Sequence, residues 1–74
     1  RPASVIPAGA VVTRGQLEVV YTIDAAQTVR MRLVRTGDVH DGWVEVLAGL
    51  EPGELVAAEQ VNRLMDGDRI EAAP

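Results

Sequence analysis

An all-β fold, a small antiparallel barrel or sheet of about six short strands with at most one short helical turn, is predicted by three features of the sequence. Val is the main core former, present 12 times in 74 residues, while Phe is absent and Trp43 and Tyr21 are the only aromatics. A side chain branched at Cβ is stiff at χ1 and suits a pleated, half-buried surface, so this composition favours strands over helices. Turn signals recur at Arg14 Gly15, Asp24 to Gln27, Thr36 to Gly42, Glu51 Pro52 Gly53 and Asp66 Gly67 Asp68. That is the roughly 8–12-residue rhythm of a compact antiparallel sheet or small barrel. Finally, the segments between the turns alternate with a period of two.

The first strand is expected at Gly9 to Thr13, reached through Ile6 Pro7, because Pro lacks an N–H and belongs at a strand start or edge. Leu17 to Asp24 sets Leu17, Val19, Tyr21 and Ile23 on one face, against a mixed face of Glu18, Val20 and Thr22. Thr28 to Arg35 sets Val29, Met31 and Leu33 against Arg30, Arg32 and Val34, and a β-bulge near Leu33 would reset its wavering register. Trp43 to Leu47 turns Val44 and Val46 away from Trp43, Glu45 and Leu47, and Leu55 to Glu59 follows the Pro52 Gly53 turn. Arg69 to Glu71 would close the sheet. The one candidate helical stretch is Glu59 to Met65, where Val61, Leu64 and Met65 fall at i, i+3, i+4 spacing before Asp66 Gly67 stops the run.

The length suits one domain, 6–71, between an arm at 1–5 and a tail at 72–74. A core this small leaves stability marginal. The absence of Cys excludes disulfides, thiolate metal sites and Cys nucleophiles. Seven Arg, no Lys and 11 acidic residues give a net charge of −4, which opposes capture by a phosphate backbone, so nucleic acid is not an expected partner. No apolar run reaches the roughly 20 residues that span a bilayer. The chain starts at Arg1 without Met and ends in Glu71 Ala72 Ala73 Pro74. It therefore reads as a piece of a longer protein.

No catalytic, cofactor-binding or metal-binding set is expected, and no cofactor. His40, in Asp38 Val39 His40 Asp41 Gly42, lacks the three or four convergent ligands of a metal site and reads as part of a solvated hairpin turn. Asp66 and Asp68 fit a turn whose carboxylates bond local backbone and whose Gly67 supplies positive φ, rather than a Ca²⁺ loop, which needs 12 residues between two helices. Ser4, the only Ser, has no Gly-flanked elbow around it. Arg30, Arg32 and Arg35 form the one concentrated positive patch. A stripe of this kind is chiefly a solvated or edge-protecting feature. Partner docking is its functional alternative, and Trp43, facing away from Val44 and Val46, strengthens it because Trp and Arg are favoured interface anchors. The candidate docking residues are thus Arg30, Arg32, Arg35 and Trp43.

The order of these motifs resembles the C-terminal, membrane-proximal domain of haemolysin-D-like membrane fusion proteins, the periplasmic adaptors of resistance-nodulation-division efflux pumps. The resemblance runs through Ile6 to Val11, Leu17 to Asp24, Val29 to Gly37, the run Trp43 to Val56, and Asp66 to Ile70. In the Trp43 to Val56 run, Val44 and Val46 feed the core, Gly49 permits a bend, Leu50 plugs the barrel end and Pro52 Gly53 reverses the chain. The resemblance implies a non-catalytic interaction module, attached to the inner membrane on its periplasmic side through other parts of the parent protein. It implies as partners an inner-membrane efflux transporter, other adaptor protomers and, through the full adaptor, an outer-membrane channel. Because the family domain is partly completed by an earlier segment of the adaptor, an unpaired strand edge is expected, with self-association or a terminus folding into the gap. A stand-alone small β-barrel binder of a ligand or protein is the alternative reading.

Overall fold

The structure is a computed structural model and describes residues 4–58 and 63–69. Its elements are β1 (Ser4–Pro7), a 3-10 helix at Ala8–Ala10, β2 (Val12–Arg14), β3 (Leu17–Ile23), β4 (Val29–His40), β5 (Trp43–Ala48) and β6 (Leu55–Val56). All pairings between them are antiparallel. The six-stranded sheet is open, in the order β1-β5-β4-β3-β2, and β6 pairs with the far end of β3. Strand β4 joins two lobes, with Val29 to Val34 paired to β3 and Arg35 to His40 paired to β5.

Two apolar clusters explain why these residues became strands. Val20 of β3 meets Ile6, Val44 and Val46 across the sheet, with Ala10 at the centre and Val34, Leu50 and Val56 packed around them. Val19 and Tyr21 point the opposite way, onto Val12, Val29 and Ala57, with Ile23 and Leu64 alongside. Strand β3 is therefore buried on both faces. Thr22 is tolerated there because its hydroxyl donates to the Arg30 carbonyl at 3.4 Å, and the enclosed Tyr21 hydroxyl accepts from Arg14 Nη2 at 2.8 Å. A buried polar group without such a partner would cost about 1–3 kcal/mol.

The sequence places β3 and β5 well and misplaces others; of the strand expected at Leu55 to Glu59, only Leu55–Val56 is strand, Ala57 and Ala58 are not, and Glu59 lies outside the described residues. Gly9 to Thr13 is not one strand: Ala8–Ala10 forms the 3-10 turn, and the paired residues are Ser4–Pro7 and Val12–Arg14. Ser4 and Val5, expected in a loose arm, pair with Val46 and Glu45 because Ile6 is drawn into the core opposite Val44. A 3-10 turn thus lies at Ala8–Ala10, and Arg63 also has 3-10 conformation. Of the helix expected at Glu59 to Met65, residues 59–62 lie outside the described residues; Leu64 packs on the core while Met65 is exposed.

Strand β4 also continues through the stretch predicted as a turn, Thr36 to His40, and no bulge occurs at Leu33. Val34 sits opposite Glu18 in unbroken register and belongs to the interior cluster, so no reset is needed there. The register shifts instead between Arg35 and Val39. The reversal that follows needs only Asp41 (φ 51°) and Gly42 (φ 81°), between the paired His40 and Trp43. Two central residues with positive φ, in an Asp-Gly pair, are the signature of a type I′ hairpin turn.

At the C-terminal end Arg69 makes one bridge, to Thr28, while Ile70, Glu71 and the expected tail lie outside the described residues. The Asp66 to Asp68 turn covers the edge of β4 that β5 leaves free. Val29 N–H donates to the Asp68 carbonyl (2.6 Å), Gly67 N–H to the Val29 carbonyl (2.7 Å) and Met31 N–H to Asp66 Oδ1 (2.8 Å). Gly67 has φ 92°, and Asp68 Oδ2 accepts from Met65 N–H at 2.9 Å. The turn chemistry expected here is present, and it serves a strand edge as well.

Candidate functional site

The structure separates the four candidate docking residues. Arg30 and Arg32 alternate with Met31 on β4 and line one groove of about 370 Å³ together with Asp24, Glu54 and Leu55. Trp43, the first residue of β5, lines another. Arg35 stands exposed on β4 at the start of the register shift.

The arginines differ in how they are used. Arg32 makes a two-pronged contact with Glu54, Nη1 to Oε1 and Nη2 to Oε2, both at 2.9 Å, and Nη1 also donates to the Gly49 carbonyl at 3.0 Å. Planar guanidinium and carboxylate match in this geometry, which gives such pairs directional strength. The Arg32 hydrogen bonds and the Glu51 N–H, in that order, hold the Glu54 carboxyl below its ordinary range, and Glu54 in turn raises the Arg32 pKa. Arg32 therefore braces β4 against the turn between β5 and β6. Arg30 makes a looser ion pair with Asp24, at 3.6 Å. Asp24 Oδ1 accepts from Thr28 N–H (3.0 Å) and Ala26 N–H (2.9 Å), closing the turn after β3. The Thr28 bond is the main cause of the lowered Asp24 pKa. Arg35 makes no ion pair among the described residues.

Trp43 lies on the face of β5 turned away from Val44 and Val46, as its parity predicts, and is 50% exposed. In register beside it is Pro7, followed on β1 by Val5 opposite Glu45; Val5 is 57% exposed. The register shift in β4 brings further residues to this face. Thr36 is opposite Val46 and Val39 is opposite Val44, so both Gly37 and Asp38 stand against Glu45. Two residues opposing one is a β-bulge, and it turns Asp38 toward the side where Glu45 and Trp43 lie. Gly37 makes room for this: a Cβ there would come within 2.7 Å of Glu45 Oε1 and 3.3 Å of Leu47.

His40 is paired with Trp43, and its Nε2 is 3.4 Å from Asp41 Oδ2, with both side chains almost fully in solvent. Among the described residues no three His, Asp or Glu side chains are placed to hold a metal ion. Also among the described residues, no helix is long and apolar enough to cross a membrane. Trp43 stands out in the sequence, whereas Val5, Asp38 and Glu45 do not show there as its neighbours, because that grouping depends on the pairing of β1 with β5 and on the bulge. The Asp-Gly pair at 41–42 was the available signal: it fixes a two-residue hairpin and extends β4 to His40.

Residues 5–62 match the family described as the CzcB C-terminal circularly permuted SH3-like domain. The chain belongs to this family. The matched span takes in β2 to β6 and all but the first residue of β1, so the resemblance to the C-terminal domain of membrane fusion proteins rests on the whole fold. Among curated relatives, the multidrug resistance protein MdtA of Erwinia amylovora is 36% identical over 72 residues, covering 97% of this chain and 18% of that protein. The MdtA proteins of Yersinia pestis and Yersinia pseudotuberculosis are 35% identical over 69 residues, covering 93% of this chain and 16% of theirs. The SH3-like domain thus spans less than a fifth of the length of the relatives it matches.

Proposed function

We propose that this domain is the non-catalytic docking module of a periplasmic adaptor, seating on an inner-membrane efflux transporter and helping to couple it to an outer-membrane channel. The family match across residues 5–62 carries the reading, and the relatives named as multidrug resistance proteins support efflux as the process. A half-exposed Trp on a rigid strand supports docking, since a large aromatic held in place loses little entropy on binding and anchors interfaces well. Arg35, exposed and without an ion pair among the described residues, suits the same role. Arg30 and Arg32 contribute from a separate groove, and Arg32 does so while also bracing the fold.

The test uses the full-length parent protein in cells that depend on its pump. Trp43→Ala and Arg35→Glu are expected to lower resistance to exported compounds and to reduce co-purification of the transporter, at unchanged adaptor abundance. Full resistance and normal co-purification in the combined variant would refute the docking role. Arg32→Glu is a poor probe on its own, because it sets like charges against Glu54 and reports on stability as well as docking.

A further inference from the structure

A groove of about 450 Å³ lies between β1 and the β4–β5 hairpin, lined by Val5, Asp38, His40, Asp41, Trp43 and Glu45. Val5 and Trp43 supply an apolar surface, and the carboxylates of Asp38, Asp41 and Glu45 stand around it. We propose that this groove seats an arginine- or lysine-bearing segment of a partner protein, with the cation against the Trp43 indole and within reach of these carboxylates. The proposal rests on the docking reading and specifies the chemistry of the partner.

Charge complementarity selects the occupant. Among the described residues none of these three carboxylates is paired with an arginine, whereas Asp24 and Glu54 both are. Like-signed charges beside an apolar surface raise the local concentration of an oppositely charged group. A guanidinium or ammonium is also drawn to the face of an indole by its quadrupole. A wholly apolar occupant would strip water from carboxylates without replacing its hydrogen bonds. Phosphate groups and an anionic lipid surface would be repelled. The bulge contributes directly, because strict alternation would have turned Asp38 to the other face of β4.

Trp43 is the only Trp, so its fluorescence reports on this groove. The probe is a blocked Gly-Arg-Gly-Arg-Gly peptide, titrated into the chain at low salt against a Gly-Glu-Gly-Glu-Gly control. A saturable change in Trp43 emission is expected with the arginine peptide alone, weakened about tenfold by combined Asp38→Asn and Glu45→Gln substitution and by a similar factor in about 0.5 M salt. Unchanged circular dichroism would show the double variant folded. Equal responses to both peptides, or no response at millimolar peptide, would overturn the proposal. So would a peptide-independent emission change on concentrating the chain, which would make a second copy the occupant, or a response to anionic vesicles. If arginine selectivity fails while the combined Trp43→Ala and Arg35→Glu variant of the parent protein still reduces co-purification of the transporter, only the partner chemistry is wrong; if that variant also co-purifies normally, the docking reading falls with it.

Discussion

Gly49 and the Arg32–Glu54 pair meet at the turn between β5 and β6, and between them they fix how that turn sits on β4. Gly49 has φ 103°, and a Cβ there would run into the Leu33 carbonyl oxygen and lie 3.0 Å from Val34 Cα. Both obstacles are backbone, so neither can swing aside. Gly49→Ala is therefore expected to cost at least about 2 kcal/mol, read as a lowered urea midpoint. Glu54→Gln removes a two-pronged ion pair that is partly open to solvent, and a loss of about 0.5–1 kcal/mol is expected. The pH dependence has a definite sign. The fold holds the Glu54 and Asp24 carboxyls below their ordinary values of 4.5 and 3.8, so the unfolded chain binds protons more readily. Their contribution is complete above those values and is lost as pH falls through the lower, folded-state values. Thermal melts should show Tm falling below about pH 4.5 in the parent chain and less steeply in Glu54→Gln; parallel curves would remove the pair from the account.

At the scale of elements, the most informative strands are those the sequence reads unevenly. Val44 and Val46 face the core and Trp43 faces out, as alternation alone predicts, because β5 is buried on one side only. Alternation fails for β3, where Val19, Val20, Tyr21 and Thr22 are all buried. A strand enclosed on both faces has no polar face to display, and Thr22 hid this by looking solvent-facing. β1 was illegible for another reason: Val5 and Ile6 favour strand but are only two residues between Ser4 and Pro7, too short a run to show alternation, and their pairing is completed by the β5 edge they meet. The Trp43 groove was half legible. Trp43 and the Asp-Gly turn stand in the sequence, but the bulge that aligns Asp38 with Glu45 follows from the pairing of β4 with β5. Ile6→Ala tests the anchoring of β1 and is expected to cost about 2–4 kcal/mol by chemical denaturation, since Ile6 is buried between Val44 and Val20.

For the molecule as a whole, the open sheet places two unlike surfaces on one small scaffold. One carries the arginines that tie β4 to the neighbouring turns, and the other carries Trp43 among carboxylates that, among the described residues, no arginine pairs. An antiparallel scaffold joined by tight turns suits a module that must present a contact surface in a fixed geometry. The measurement that addresses the docking role most directly is site-specific photocrosslinking in cells. A photoreactive amino acid would replace Trp43 in the full-length parent protein, with Gln16, exposed in the turn between β2 and β3, as the control position. Crosslinks from position 43 to the inner-membrane transporter, well above those from position 16, are predicted. Equal yields from the two positions, or crosslinks from position 43 only to other proteins, would contradict it.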